Sequence, residues 1–234
     1  MKGYMMKQTL ILGMALLLAV AAFAQKNVTQ FLGIPVDGTK SAMIQKLKAK
    51  GYTYDASSDL LSGQFNGRSV YVKIATNNNK VYRIVVTDAN TSSETDIRIR
   101  FNTLCDQFSK NEKYMPADFL GEYKISEDAD ISYEMSVKNK RYEASYFQVS
   151  KADQDTSGFT QWAVNRILEK YGDEGWESMD DKDRETALLT MAVLFMVEKI
   201  QHKSVWFMIS RFYGKYSIVI YYDNELNKAH GEDL

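Results

Sequence analysis

The sequence predicts an α+β protein: antiparallel sheets each covered by helices, arranged as two tandem helix-plus-antiparallel-sheet units. Two observations carry this. Helical spacing gives way to strict alternation and returns more than once along the chain, and an Asn66-Gly67 pair sits between two apolar-alternating runs, the signature of a tight hairpin.

The chain opens with an export-signal pattern. Lys2 and Lys7 supply a positive n-region, Leu10 to Phe23 an apolar run, and Ala22-Phe23-Ala24 a small-x-small cleavage site before Gln25. The apolar run is shorter than the ~20 residues a spanning helix needs, so cleavage after Ala24 is expected rather than a membrane anchor. A lipid anchor would require cysteine at position 25, but the sole cysteine is Cys105. The expected organisation is therefore a signal peptide over 1–24, a first α+β domain over 25–114 and a second over 115–234, with a periplasmic or secreted product.

Loss of two lysines with the signal leaves a net charge of −3, split as +4 over 25–112 and −7 over 113–234. The two halves thus present different surfaces. A hydrophobic content of 45% with only 2 prolines fits an ordered globule. One cysteine allows no intrachain disulfide, so the core alone must hold the fold.

Gln25 to Gly38 reads as a lead-in. Thr39 to Lys50 has Met43, Ile44 and Leu47 on one helical face, with Gly51 as its stop. Leu61 to Phe65 and Val70 to Ile74 form the hairpin about Asn66-Gly67, and a polar turn at Asn77-Asn78-Asn79 leads into Val81 to Thr87. Ser92 to Lys110 is a helix whose Ile97, Phe101, Leu104, Cys105 and Phe108 share one face, and Tyr114-Met115-Pro116 is the expected domain boundary. In the second half, Phe119 to Ile125 and Ile131 to Val137 read as strands, Tyr142 to Val149 as another, and Phe159 to Tyr171 as a helix.

An acidic connector from Asp173 to Glu185 precedes Thr186 to Ile200, a helix apolar on nearly every side. Such a helix belongs in a core, or else turns its second face to a partner protein. Val205 to Ser210 and Tyr216 to Tyr222 are apolar on both faces, as central strands are, and Asp223 to Leu234 is a polar tail.

Candidate chemistry is sparse. Asp153, Asp155 and Ser157 followed by Gly158 match the start of a calcium loop, but Val164 stands where a bidentate glutamate is required. Asp155 or Ser157 capping the next helix is the simpler account. The acids of Asp180 to Glu185 suit a helix N-terminus, with Asp183 as N-cap. Cys105 lies on an apolar stripe, where burial raises its pKa, and His202 and His230 fit no zinc or cysteine-protease pattern. Neither a cofactor nor nucleic-acid binding is expected. Among 15 tyrosines, Tyr133, Tyr216 and Tyr222, with Trp206, fall on alternating runs and are expected in the core, whereas Tyr71 and Tyr82 lie on the other face of their strands and are the candidate binding surface.

The signal end Ala22-Phe23-Ala24-Gln25, the run Phe31-Leu32-Gly33-Ile34-Pro35-Val36-Asp37-Gly38, Gly63-x-Phe65-x-Gly67, and the ending Tyr222-Asp223-Asn224 through Gly231-Glu232-Asp233-Leu234 resemble uncharacterised exported proteins of Bacteroidales bacteria. That resemblance implies no activity. The element order is loosely similar to beta-lactamase-inhibitor-protein-like and outer-membrane assembly lipoprotein E-like domains, small envelope modules that bind proteins. The expectation is a non-enzymatic module of the cell envelope that binds another envelope protein. The alternative is a hydrolase acting on an envelope or dietary polymer through a carboxylate pair in a cleft between the halves.

Overall fold

A computed structural model describes residues 27–118 and 121–229. The export signal expected over 1–24 lies outside the described residues, as does His230. Among the described residues, five α-helices accompany an eight-stranded antiparallel sheet and a two-stranded ribbon, an α+β fold.

The ribbon pairs β1 (Gln30–Phe31) with β2 (Ile34–Pro35) in the lead-in segment, burying Phe31 and Val36. Helix α1 (Lys40–Ala49) starts where the Thr39 side chain accepts from the Ala42 amide, and Gly51 follows with φ of +92°. After β3 (Thr53–Asp55), the hairpin of β4 (Leu60–Phe65) and β5 (Arg68–Asn77) turns through Asn66 and Gly67. Both turn residues have positive φ, +49° and +71°, which matches the right-handed strand twist. Asn78 and Asn79 repeat the device before β6 (Lys80–Asp88), and helix α2 (Glu94–Ser109) follows, capped by Ser93. All five residues expected on its inner face are buried, joined by Arg100, which reaches Asp88 at 3.4 Å.

The second half departs from expectation in several places. Of the strand expected over Phe119 to Ile125, residues 121–125 are irregular and Phe119 and Leu120 lie outside the described residues. Tyr114-Met115-Pro116, read as the boundary, forms edge strand β7, paired with β8 (Glu143–Gln148). Ile131–Ser136 is helix α3, not a strand: the Asp130 carboxylate accepts from the Tyr133 amide, and only Ile131 is buried. Helix α4 (Phe159–Ser178) runs past Tyr171, broken at Gly172, whose φ of +67° and ψ of 174° leave the helical region. Helix α5 (Asp181–Ile200) is capped by Asp180, which accepts from the Asp183 amide, and not by Asp183.

The closing strands β9 (Ser204–Phe212) and β10 (Lys215–Asp223) decide the architecture. The sheet order is β3-β4-β5-β6-β10-β9-β8-β7, so the last strand in the chain lies between the two halves. In place of two sheets there is one, because β6 offers an unpaired edge that Val219 to Asp223 satisfy. One face carries the main core. Val72, Ile84, Phe207, Ile218 and Ile220 are at most 1% exposed and pack under α1 and α2. The polar tail also turns inward: Asp223, Asn224 and Asn227 are buried, and Asn224 Nδ2 donates to the Val36 carbonyl at 2.8 Å.

Helix α5 is not a central core helix. It pairs with α4 in a hairpin whose own small core is Ala163, Ile167 and Met191, and leaves Leu188, Leu189, Val193 and Leu194 exposed.

Candidate binding face and clefts

Strand alternation places every second residue on the face opposite the core, and there, apart from the buried Val219 and Asp223, the side chains of the central strands β5, β6, β10 and β9 are half-exposed or exposed. Register aligns them in rows. Tyr71, Thr87, Val219 and Met208 form one row across β5, β6, β10 and β9; Lys73, Val85, Tyr221 and Trp206 form the next. Ser62, Ser145, Ser210 and Ser217 fill positions around them. Four adjacent strands spaced ~4.8 Å apart separate Tyr71 from Met208 by about 14 Å.

The centre of this face is a set of mutually contacting side chains. Tyr221 and Trp206 are cross-strand neighbours, with rings stacked at 3.9 Å and 12°. The Arg83 guanidinium lies 5.0 Å from the Tyr221 ring centroid and 5.7 Å from that of Trp206. Asp223 fixes it through two bonds of 2.5 and 2.6 Å and also accepts from Trp206 Nε1 at 3.1 Å. The hydrogen bonding of the guanidinium to Asp223 is the main reason the Arg83 pKa is raised, so the cation is held at every physiological pH. A bidentate Arg–carboxylate pair with aromatic planes stacked against it keeps its geometry without a ligand.

Of the expected surface tyrosines, Tyr71 stands on this face at 46% exposure. Tyr82 is half-buried at a β-bulge opposite the Ala75–Thr76 step, 5.9 Å from Arg83. Tyr216 and Tyr222 are core residues as expected; Trp206 is not, and Tyr133 is exposed on α3. The open face went unread in the sequence because a two-sided apolar pattern on β9 and β10 does not say which side is covered.

The calcium-loop residues do not converge. Asp153 is buried and its carboxylate accepts from Lys203 Nζ, from the Ser150 amide at 2.6 Å and from Asn27 Nδ2 at 2.5 Å. Lys203 stands where a metal cation would, itself 1% exposed. Burial raises the Asp153 pKa, but the Lys203, Ser150 and Asn27 hydrogen bonds outweigh it and the net shift is downward. Asp155 is exposed and accepts from the Ser157 amide, while Gly158 is the N-cap of α4, with no side-chain cap. Among the described residues, no three His, Cys, Asp or Glu side chains are grouped to hold a metal ion.

Two clefts bear on hydrolysis. The larger, about 810 Å³, lies between the lead-in ribbon and the β7–β8 edge, and Glu112 is the only carboxylate among its described lining residues. A second, about 540 Å³, gathers Glu122, Asp128, Asp130, Glu134 and Glu143. Here Lys140 and Tyr142 hold the Glu134 pKa below the usual range, and Ser126 does the same for Asp128. A glycosidase-type pair needs one carboxyl kept protonated, the opposite shift. Cys105 is buried against Tyr146, and desolvation pushes its pKa up to about 12, so it is no nucleophile at neutral pH.

In comparison with known proteins, the chain matches no family model, no curated protein and no solved structure.

Proposed function

We propose that the chain is a non-enzymatic protein-binding module exported to the cell envelope, and that it engages another envelope protein through the open face of its sheet. The observation that carries this reading is the row of Lys73, Val85, Tyr221 and Trp206, flanked by Tyr71 and Arg83, on a face set with serine hydroxyls. Tyrosine, tryptophan and arginine are the side chains that dominate binding energy at protein interfaces. Tyr and Trp offer large contact area with two rotatable bonds, and short hydroxyls adapt to polar groups on the partner. The partner this suits is a flat protein surface with an apolar centre and a hydrogen-bonding rim.

The test uses the mature chain as bait in periplasmic extract, beside Tyr71→Ala and Ser217→Arg, which alter the face without touching the core. One stoichiometric partner retained by the wild type, and bound at least tenfold more weakly by both variants once purified, supports the reading. Equal binding by all three, or turnover of a glycan or peptide panel without a partner, counts against it.

A further inference from the structure

Helix α5 carries a second seam that the hairpin with α4 does not use. Ala187, Met191 and Phe195 are buried and face α4, Phe195 against Trp162 and Phe159. About half a turn round the helix, Leu189, Val193, Met196 and Ile200 are spaced by 4, 3 and 4 residues, the step of a coiled-coil seam. Leu189 is 64% and Val193 50% exposed, whereas Ile200 is buried at the foot of the helix. From Leu189 to Ile200 this stripe runs about 16.5 Å at 1.5 Å per residue.

The charges beside the seam select its occupant. One flank holds Glu185, Ala192 and Lys199, seven residues apart. The acid and the base are therefore equidistant from a small residue at the middle. Laid antiparallel on another α5, with a twofold axis beside Ala192, the seam sets Glu185 against Lys199 of the second copy, and Lys199 against its Glu185. The same operation meshes Val193 with Leu189 of the second copy twice and brings the two Ala192 methyl groups together, where bulk would hold the helices apart. A self-complementary patch of this kind is what a twofold interface requires. Among the described residues, Glu185 forms no salt bridge. The Lys199 ammonium lies 4.2 Å from the Phe195 ring centroid and donates one bond to the Asp155 carbonyl, so it meets an acid of the second copy through its two remaining donors.

We infer that the chain forms an antiparallel homodimer through α5, joining two α4–α5 hairpins into a four-helix bundle. This leaves the open sheet face free, so it is independent of the binding reading above.

Sedimentation velocity on the mature protein at about 100 µM tests it, a concentration at which a micromolar dimer is fully formed. The expected species is a dimer. Glu185→Lys and Lys199→Glu each replace two attractive pairs with two repulsive ones and should weaken the dimer about tenfold, while the double swap restores it. Ala192→Cys should give a dimer-sized product with a short bis-maleimide, since Cys105 is buried. Circular dichroism melts confirm that each variant folds. A monomeric wild type, unchanged assembly in both single swaps, or a double swap no tighter than the singles overturns the inference.

Discussion

Lys203→Met tests how this fold tolerates its most buried charges. Lys203 and Asp153 are 1% and 0% exposed at the side chain, and Asn27 and Ser150 complete the polar group. Removing the cation leaves the Asp153 carboxylate buried without its counter-charge. Breaking a buried pair in this way costs about 3–5 kcal/mol. For a domain near 200 residues each kcal/mol lowers Tm by about 2–4 °C, so the variant should melt about 6–20 °C below the wild type at pH 7. The pH dependence supplies the sharper test. In the wild type the folded-state pKa of Asp153 is depressed, so its contribution is present above the unfolded-state value, near 4, and is lost as pH falls through the folded one. In Lys203→Met only the Ser150 and Asn27 hydrogen bonds oppose burial, and the expected result is a raised pKa; the folded state then takes up the proton first, and the deficit shrinks as pH drops from 7 toward 5. Asp153→Asn with Lys203→Met removes both charges and should recover part of the loss. Calorimetry from pH 4.5 to 8 measures all three proteins. A variant within about 2 °C of wild type, or a deficit independent of pH, would refute the argument.

Cys105 should resist maleimide in the native state at pH 8 and react fully once unfolded; its pKa near 12 leaves about one thiol in ten thousand ionised. Tyr213→Asn should stabilise by about 0.5–1 kcal/mol, seen in urea melts, because Tyr213 holds φ of +46° while 90% exposed, its ring meeting only the exposed Phe212 ring among the described aromatic contacts. Asn224→Ala should destabilise by about 1–3 kcal/mol in the same assay, since the buried Val36 carbonyl and the Leu226 amide both lose its side chain as partner.

Much of the first half was legible because local chemistry agrees with the tertiary result. Thr39 and Ser93 cap helices, Asn66-Gly67 and Asn78-Asn79 accept the positive φ that tight hairpins require, and the α2 stripe needs only a 3.6-residue period to be seen. Ile131 to Val137 misled because an alternating apolar pattern over seven residues also fits about two helical turns, and the Asp130 cap selected the helix. Asp223, Asn224 and Asn227 read as a solvated tail because composition records polarity and not hydrogen-bond partners.

The sequence by itself determined the α+β class, the tight turns and the faces of α1 and α2, all of which depend on contacts or dihedral angles within a few residues. Only the tertiary structure decided that β10 fills the edge of β6 to make one sheet, that Lys203 occupies the Asp153 carboxylate, and that α5 stands exposed in a hairpin. Those outcomes hang on pairings 50 to 140 residues apart, such as Lys203 with Asp153 and Arg83 with Asp223. A strand edge or a buried charge accepts any partner of the right shape and sign, so the choice among distant candidates is made by the packing of the whole chain.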